Sequence, residues 1–285
     1  MRVVLLLLDG WGVAPNTEAN AITSAKTPVF LNLIKEYPIA VLRTGPKNWN
    51  VRYLTIGTGQ EITDENTESV VTLSTAVAAA GLRQIKIAET ERFAALTHFF
   101  NGRAENKASG EEWKIISSEA GDKSIKPLLA LQRTVQEIIR EIDKDEARDL
   151  IVASVPYLDL VALGGNAAEI KKAVESLDKN LRKIWAAVAA KNGVLLLSSA
   201  AGNVERASNL ATDLVDTEMT DNPVPLIIVG SEFKGKTIGL AEPLNNDLSL
   251  LAPSGSLADL APTILDIMGL AVPPEMTGQS LLRLE

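Results

Sequence analysis

The sequence predicts an α/β protein with a doubly wound, largely parallel sheet flanked by helices. Three observations carry this expectation. Apolar runs such as Val3–Leu8 (VVLLLL), DLIVASV at 149–155 and GVLLL at 193–197 lack the alternation of a half-exposed strand and suit strands buried on both faces. Segments with helical spacing separate those runs, which is the βα alternation of a parallel sheet. Finally, 46% hydrophobic residues in a chain of 285 supply a core for one large α/β domain or two small ones and argue against wholesale disorder. There is no internal repeat and no low-complexity tract.

The first run stops at Asp9, and Gly10 and Gly12 then make a sharp turn at the strand's carboxyl end. Ligands of open α/β sheets sit at that edge. Asp9 is therefore a candidate metal- or phosphate-site residue, its plain alternative being a strand-ending Asp in a turn. After an irregular stretch to Lys26, Thr27-Pro28 opens a helix with Thr as N-cap and Pro at the first position, and Tyr37-Pro38 ends it. Residues 39–42 form a short buried strand. Gly45-Pro46 begins a loop that runs through KNWNVRYLTIGTGQ to Gln60. A helix over about 65–80 is stopped by Gly81. Residues 83–88 read as a strand. The segment AETERFAALTHFFNG reads as a short helix and another strand, with Asn101-Gly102 as the turn.

Residues 101–112 are polar and loop-like, 113–116 suit a strand, and 127–142 a helix with a charged outer face. The strand at 149–155 is followed by Gly164-Gly165-Asn166 and a long helix, Ala167–Ala190. The strand at 193–197 ends in SSAAGN, and 204–221 reads as loop. Asn222-Pro223 opens the strand Val224–Val229, and a helix over 256–268, with Pro262 near its first turn, is capped by Gly269.

Composition excludes several chemistries. A net charge of −8 argues against nucleic acid and anionic membrane as partners. With no cysteine there is neither a disulfide framework nor a thiolate site. The single histidine, His98, rules out a zinc site built on several imidazoles. No stretch reaches the roughly 18 to 20 apolar residues that span a bilayer, so membrane insertion is not expected. The opening run is too short, and too soon interrupted by Asp9, for a signal peptide. The expected location is cytoplasmic.

Five stretches, in order, are LLLLDGWG, LTIGTGQ, AGLRQIKIAETERFAALTHFFNG, DNPVPLIIVG, and SLADLAPTILDIMGL followed by EMTGQSL. Together they resemble cofactor-independent phosphoglycerate mutase, a member of the alkaline phosphatase superfamily. The resemblance implies one alkaline-phosphatase-like, metalloenzyme-type domain over 1–285, with a dinuclear manganese or zinc site at the carboxyl ends of the strands. It also implies two departures. The mutases carry an inserted phosphotransferase domain, holding much of the phosphoglycerate pocket, between the second and third stretches. Here residues 61–80 replace it. The second departure is in the metal site. Asp9 and Asp159 match metal-ligand positions and are kept, whereas other ligand positions fall on Leu163, Ala200, Ala201 and Met219. The nucleophilic serine falls on Trp49 and a substrate-side histidine on Ala95, while Arg92 stands where the mutases have lysine and is a candidate phosphate contact. His98 falls on an aromatic position and is expected to pack within a strand.

Elementary chemistry agrees with this reading. Two divalent ions bring a charge of roughly +4 and need several anionic or imidazole donors. Alanine, leucine, methionine and tryptophan offer none, and an indole cannot attack phosphorus. The expected function is a catalytically inactive, mutase-like pseudoenzyme serving as a protein-interaction or structural subunit, with a protein partner or homo-oligomer and no cofactor. One alternative is a phosphomutase or phosphatase with a rebuilt site, holding a single Mg or Mn at Asp9 and Asp159 with oxygen donors from Asn203, Asp213, Asp216 and Glu218. Another is a binder of a phosphorylated ligand through Arg92, Arg52 and Lys47, whose plain alternative is solvated surface charge. Trp49, Ala200, Ala201, Leu163 and Met219 are expected to pack together as an apolar plug, with Trp49 buried in it. Asp9 and Asp159 are then expected to bond to backbone N–H groups or water.

Overall fold

The computed structural model describes the chain except residues 118–125, 145, 147, 165, 207–217, 239–245 and 284–285. Among the described residues eight strands are seen: β1 (Val3–Leu8), β2 (Ile39–Arg43), β3 (Gln84–Glu89), β4 (Glu111–Ile116), β5 (Leu150–Val155), β6 (Val194–Ser198), β7 (Val224–Val229) and β8 (Gly255–Ser256). They form one open sheet in the order β4-β3-β5-β1-β6-β7-β2-β8. Only β7 runs antiparallel, to both β6 and β2, and the remaining pairs are parallel. The predicted largely parallel sheet is what the chain builds. Strand β1 lies at its centre between β5 and β6, and every residue of these three strands is buried. This explains why their sequences lack alternation.

The helices are α1 (Ala21–Ser24), α2 (Pro28–Glu36), α3 (Trp49–Thr58), α4 (Leu73–Ala79), α5 (Thr90–Ala94), α6 (Lys126–Asp143), α7 (Tyr157–Ala162), α8 (Ala167–Ala190) and α9 (Leu260–Ile267). Helix α8 packs on α1, α2, α6 and α7, whereas α3 packs on α4, α9 and a π-helical turn at Ala95–Phe99. These two groups flank the sheet.

Four expectations need correction. The predicted loop over 45–60 contains α3. Its N-cap is Asn48, whose side chain accepts from the backbone N–H groups of Asn50 (2.8 Å) and Val51 (3.3 Å), and Gly59 ends it at φ 64°. Residues Val51 to Thr58 are all buried, so the helix has no solvent face and no amphipathic stripe to read. The helix predicted over 65–80 shortens to α4, opened by a capping box between Thr72 and Thr75. The strand predicted around His98 is instead the π-helical turn continuing α5. Helix 256–268 is divided into a 3₁₀ turn at Leu257–Asp259 and α9. Two short helices went unread, α1 and α7, and α7 carries Asp159. The loop expected at 204–221 begins with a 3₁₀ turn, Val204–Arg206.

Candidate functional site

Asp9 leaves β1 at its carboxyl end and is fully buried. Gly10 follows at φ 98°, where a Cβ would come within 2.8 Å of the Asp159 backbone nitrogen. Only glycine accepts both that dihedral and that approach. The turn therefore brings the second residue past β1, Gly10, against the start of α7. A parallel bridge between Gly10 and Gly202 extends the β1–β6 pairing past the strand ends.

The Asp9 carboxylate is densely satisfied. Its Oδ2 accepts from the Tyr53 hydroxyl (2.6 Å), Arg92 Nε (3.0 Å) and Ser154 Oγ (3.3 Å), and its Oδ1 from the Ala200 N–H (3.3 Å). Asp159 Oδ2 accepts from Arg92 Nη2 (2.5 Å), and its Oδ1 from Asn203 Nδ2 (2.8 Å). Arg92 thus bridges the two carboxylates edge-on. Its guanidinium lies 3.7 Å from the centroid of the Trp49 ring. Stacking on one side and paired carboxylates along the edge is the geometry that suits a planar cation.

Burial pushes the Asp9 carboxyl above its ordinary pKa, against the opposing pull of Arg92 and the Tyr53 hydroxyl. Burial also works against the charge on Arg92, but Asp9 and Asp159 outweigh it and raise its pKa. Tyr53 is held well above its usual value, first by burial and then by the Asp9 charge, so it stays a donor.

Around this centre lie two groups whose roles the sequence did not reveal. Glu205 is buried and accepts from the N–H groups of Gly12 (3.2 Å) and Asn203 (2.8 Å), from Asn222 Nδ2 (3.0 Å) and from the Thr220 hydroxyl. A Cβ at Gly12 or Gly202 would lie 2.3 Å from its carboxylate. These two glycines were the available signal, since they mark close approach, but nothing in the sequence points from them to position 205. Arg52, weighed as solvated surface charge or a phosphate contact, is neither exposed nor free. It donates to the carbonyls of Gly45 (3.1 Å), Pro46 (2.8 Å), Ala200 (3.4 Å) and Thr220 (3.1 Å). Burial lowers its pKa to about 10 although Asp221 lies 3.8 Å away. Lys47 is exposed and pairs with Asp221 at 3.3 Å.

The remaining expected positions scatter. Ala200 and Ala201 are buried beside Asp9, whereas Leu163 is 56% exposed and Met219 half-buried. Trp49 is half-buried, with its ring against Arg92. The five do not form the single apolar plug that was expected, because Leu163, at the end of the short helix α7, points outward and the Trp49 ring lies on Arg92. Asp9 accepts from one backbone N–H, that of Ala200, as expected, but its other protein partners and those of Asp159 are side chains, Arg92 bonding both. Ala95 is buried in the π-helical turn, and His98 lies nearest Ala104, Glu105 and Phe99. Asn203 joins the site, Glu218 is exposed, and Asp213 and Asp216 lie outside the described residues.

This donor set does not fit the metal pair that the resemblance implies. The two carboxylates are ion-paired to a guanidinium, and the alanines at 200 and 201 offer no side-chain lone pair. Among the described residues, no three His, Cys, Asp or Glu side chains gather to hold an ion. Beyond Gly12, a cavity of ≈ 170 Å³ is lined by Trp11, Asn20, Phe30, Asp247 and Leu248 among others, away from Arg92.

The profile of the metalloenzyme superfamily matches residues 1–272. Over 212 residues the chain is 37% identical to the 2,3-bisphosphoglycerate-independent phosphoglycerate mutase of Desulforudis audaxviator (strain MP104C), covering 74% of this chain and 38% of that protein. Over 212 residues it is 35% identical to the mutase of the same name from Clostridium perfringens (strain SM101 / Type A), covering 74% and 39%. The chain thus spans about two fifths of the length of these curated relatives. Among solved structures, a Leishmania mexicana phosphoglycerate mutase superposes with TM-score 0.76 at 12% identity, covering 98% of this chain and 97% of that one. The alkaline phosphatase of the Antarctic bacterium TAB5 superposes with TM-score 0.60 at 11% identity, covering 95% and 98%. At such identities these two likenesses speak for the fold alone.

Proposed function

The chain belongs to the metalloenzyme superfamily, and from that premise we propose that it is a catalytically inactive, phosphoglycerate-mutase-like member that serves as a protein-interaction or structural subunit. The observation that supports this reading is the bridge from Arg92 to Asp9 and Asp159 under the ring of Trp49. A phosphoryl-transfer site of this superfamily's kind needs an activated hydroxyl and cations that face the phosphate. Here an indole stands at the nucleophile position, and both carboxylates are committed to an internal cation. In this reading residues 61–80 also replace the inserted domain and its part of the substrate pocket.

The phosphate-binding alternative draws little support from the same geometry. Nε and Nη2 of Arg92 donate to carboxylates, and Arg52 donates to backbone carbonyls. An incoming phosphate would meet Asp9 and Asp159 as like charges.

The test is turnover of 3-phosphoglycerate and of p-nitrophenyl phosphate by the full chain, with Mn²⁺, Mg²⁺ or Zn²⁺ supplied. No rate above buffer is expected. A rate that Asp9→Ala abolishes would overturn the proposal. Light scattering of the purified chain, together with capture from the native host, tests the subunit role. The expected result is a homo-oligomer or a stoichiometric protein partner, and a solitary monomer counts against it.

A further inference from the structure

The cluster at the carboxyl end of β1 contains more than the remains of a metal site. Its carboxylates, Asp9 and Asp159, are 0% and 12% exposed in their side chains and flank Arg92, whose side chain is 8% exposed. The edge of the guanidinium meets one carboxylate at Nε (3.0 Å) and the other at Nη2 (2.5 Å), while its face meets the Trp49 ring at 3.7 Å. Each surrounding group has its own anchor. Tyr53, Ser154 and the Ala200 N–H hold Asp9, Asn203 holds Asp159, and the Asn48 cap fixes the first turn of α3 where Trp49 begins. The walls are therefore built independently of the arginine that lies between them. The indole face offers a divalent metal ion no lone pair to coordinate. A planar cation uses both the face and the edge.

We propose that this end of the sheet is a guanidinium-recognition site, occupied in cis by Arg92, so that one planar cation takes over the counter-charge role of the superfamily's metal ions. The proposal rests on reading Asp9 and Asp159 as former metal-ligand positions, but not on the absence of catalysis or on any partner. Two buried carboxylates without a counter-ion repel each other and pay for desolvation, so losing Arg92 leaves a defect that a free guanidinium ion can repair.

The experiment is thermal melting of Arg92→Gly with added methylguanidinium, compared with equal concentrations of NaCl and of MnCl₂. The variant is expected to melt roughly 5 to 10 °C below the native chain. Millimolar methylguanidinium is expected to restore about half of that loss, while leaving the native chain unchanged or slightly lowered. Adding Trp49→Ala to the variant is expected to weaken the rescue several-fold. Absence of rescue, or equal rescue by Mn²⁺, overturns the proposal. Should Arg92→Gly give no soluble protein, Arg92→Lys decides, because lysine keeps the charge and loses the planar fork. A lower melting temperature or an insoluble product supports guanidinium recognition, and an unchanged melting temperature overturns it. These readouts are independent of turnover, so a failure here is separable from a failure of the inactive-subunit reading.

Discussion

Glu89 ends β3 three residues before Arg92, and its side chain is buried with one oxygen accepting from the Thr134 hydroxyl (3.0 Å). Among the described residues the other oxygen has no hydrogen-bond partner. Burial raises its pKa to about 7, with Thr134 opposing, Glu91 adding to the rise and Arg92 opposing it. A carboxyl whose folded pKa exceeds its unfolded value holds its proton better when folded. Stability is therefore lost as pH climbs from the ordinary value of 4.5 through about 7, and the penalty is complete above that. At about 1.4 kcal/mol per unit the ceiling is about 3 kcal/mol. Glu89→Gln is expected to raise stability at pH 8 by up to that amount and to change it little near pH 5, as urea titrations at the two pH values will read. Equal effects at both pH values would reject the assignment. Nothing in the string QIKIAETE separates this glutamate from its neighbours, since burial of one carboxyl depends on where α6 comes to lie.

Helix α3 shows the same limit for a whole element. Its cap residues, Asn48 and Gly59, went unread within the expected loop, and its interior carries no amphipathic stripe, because α4, α9, the π-helical turn and the 3₁₀ turn at Leu257–Asp259 pack against it. Gly57 sits where a Cβ would be 1.9 Å from the Phe100 carbonyl oxygen. That contact lets α3 approach the π-helical turn, which fixes Trp49 and Tyr53 relative to Arg92. Gly57→Ala is expected to destabilise the chain by several kcal/mol, since backbone on both sides must move. Asn48→Ala, which removes only the cap, is expected to cost about 1 kcal/mol. Denaturant melts of the two variants check this order, and a mild Gly57→Ala would show that the helix shifts freely. By contrast α8, with its cap Asn166 and one apolar stripe, was legible to the residue.

At the scale of the molecule, the proposal that Arg92 supplies the counter-charge of Asp9 and Asp159 implies a fold that needs no added metal. Dialysis against a chelator is expected to leave the melting temperature within about 1 °C, because a structural ion binding only the folded state would contribute several kcal/mol and its removal several degrees. A drop of several degrees on chelation, reversed by Mn²⁺ or Mg²⁺, would mean that a metal is resident after all. The buried strands β1, β5 and β6 carry the core whatever stands at their carboxyl ends, so the site is free to change without loss of the sheet.

The sequence by itself determined the sheet. Its apolar runs are dictated by burial on both faces, a local demand that each strand states in its own residues. It also placed Asp9 at the carboxyl edge of the sheet, where ligands of open α/β folds sit, and the resemblance led to the expectation that Trp49, Ala200 and Ala201 stand where the mutases have a nucleophile and metal ligands. Only the tertiary structure decided what Asp9 and Asp159 hold. Arg92 lies 83 residues from Asp9 and 67 from Asp159, on an element whose π-helical continuation the sequence did not announce. The same is true of Glu205, 193 residues from Gly12. Ion pairs of this kind are set by which strand ends the topology makes neighbours. No local pattern of polarity records that, because a charged side chain reads the same in solvent as beneath an indole ring.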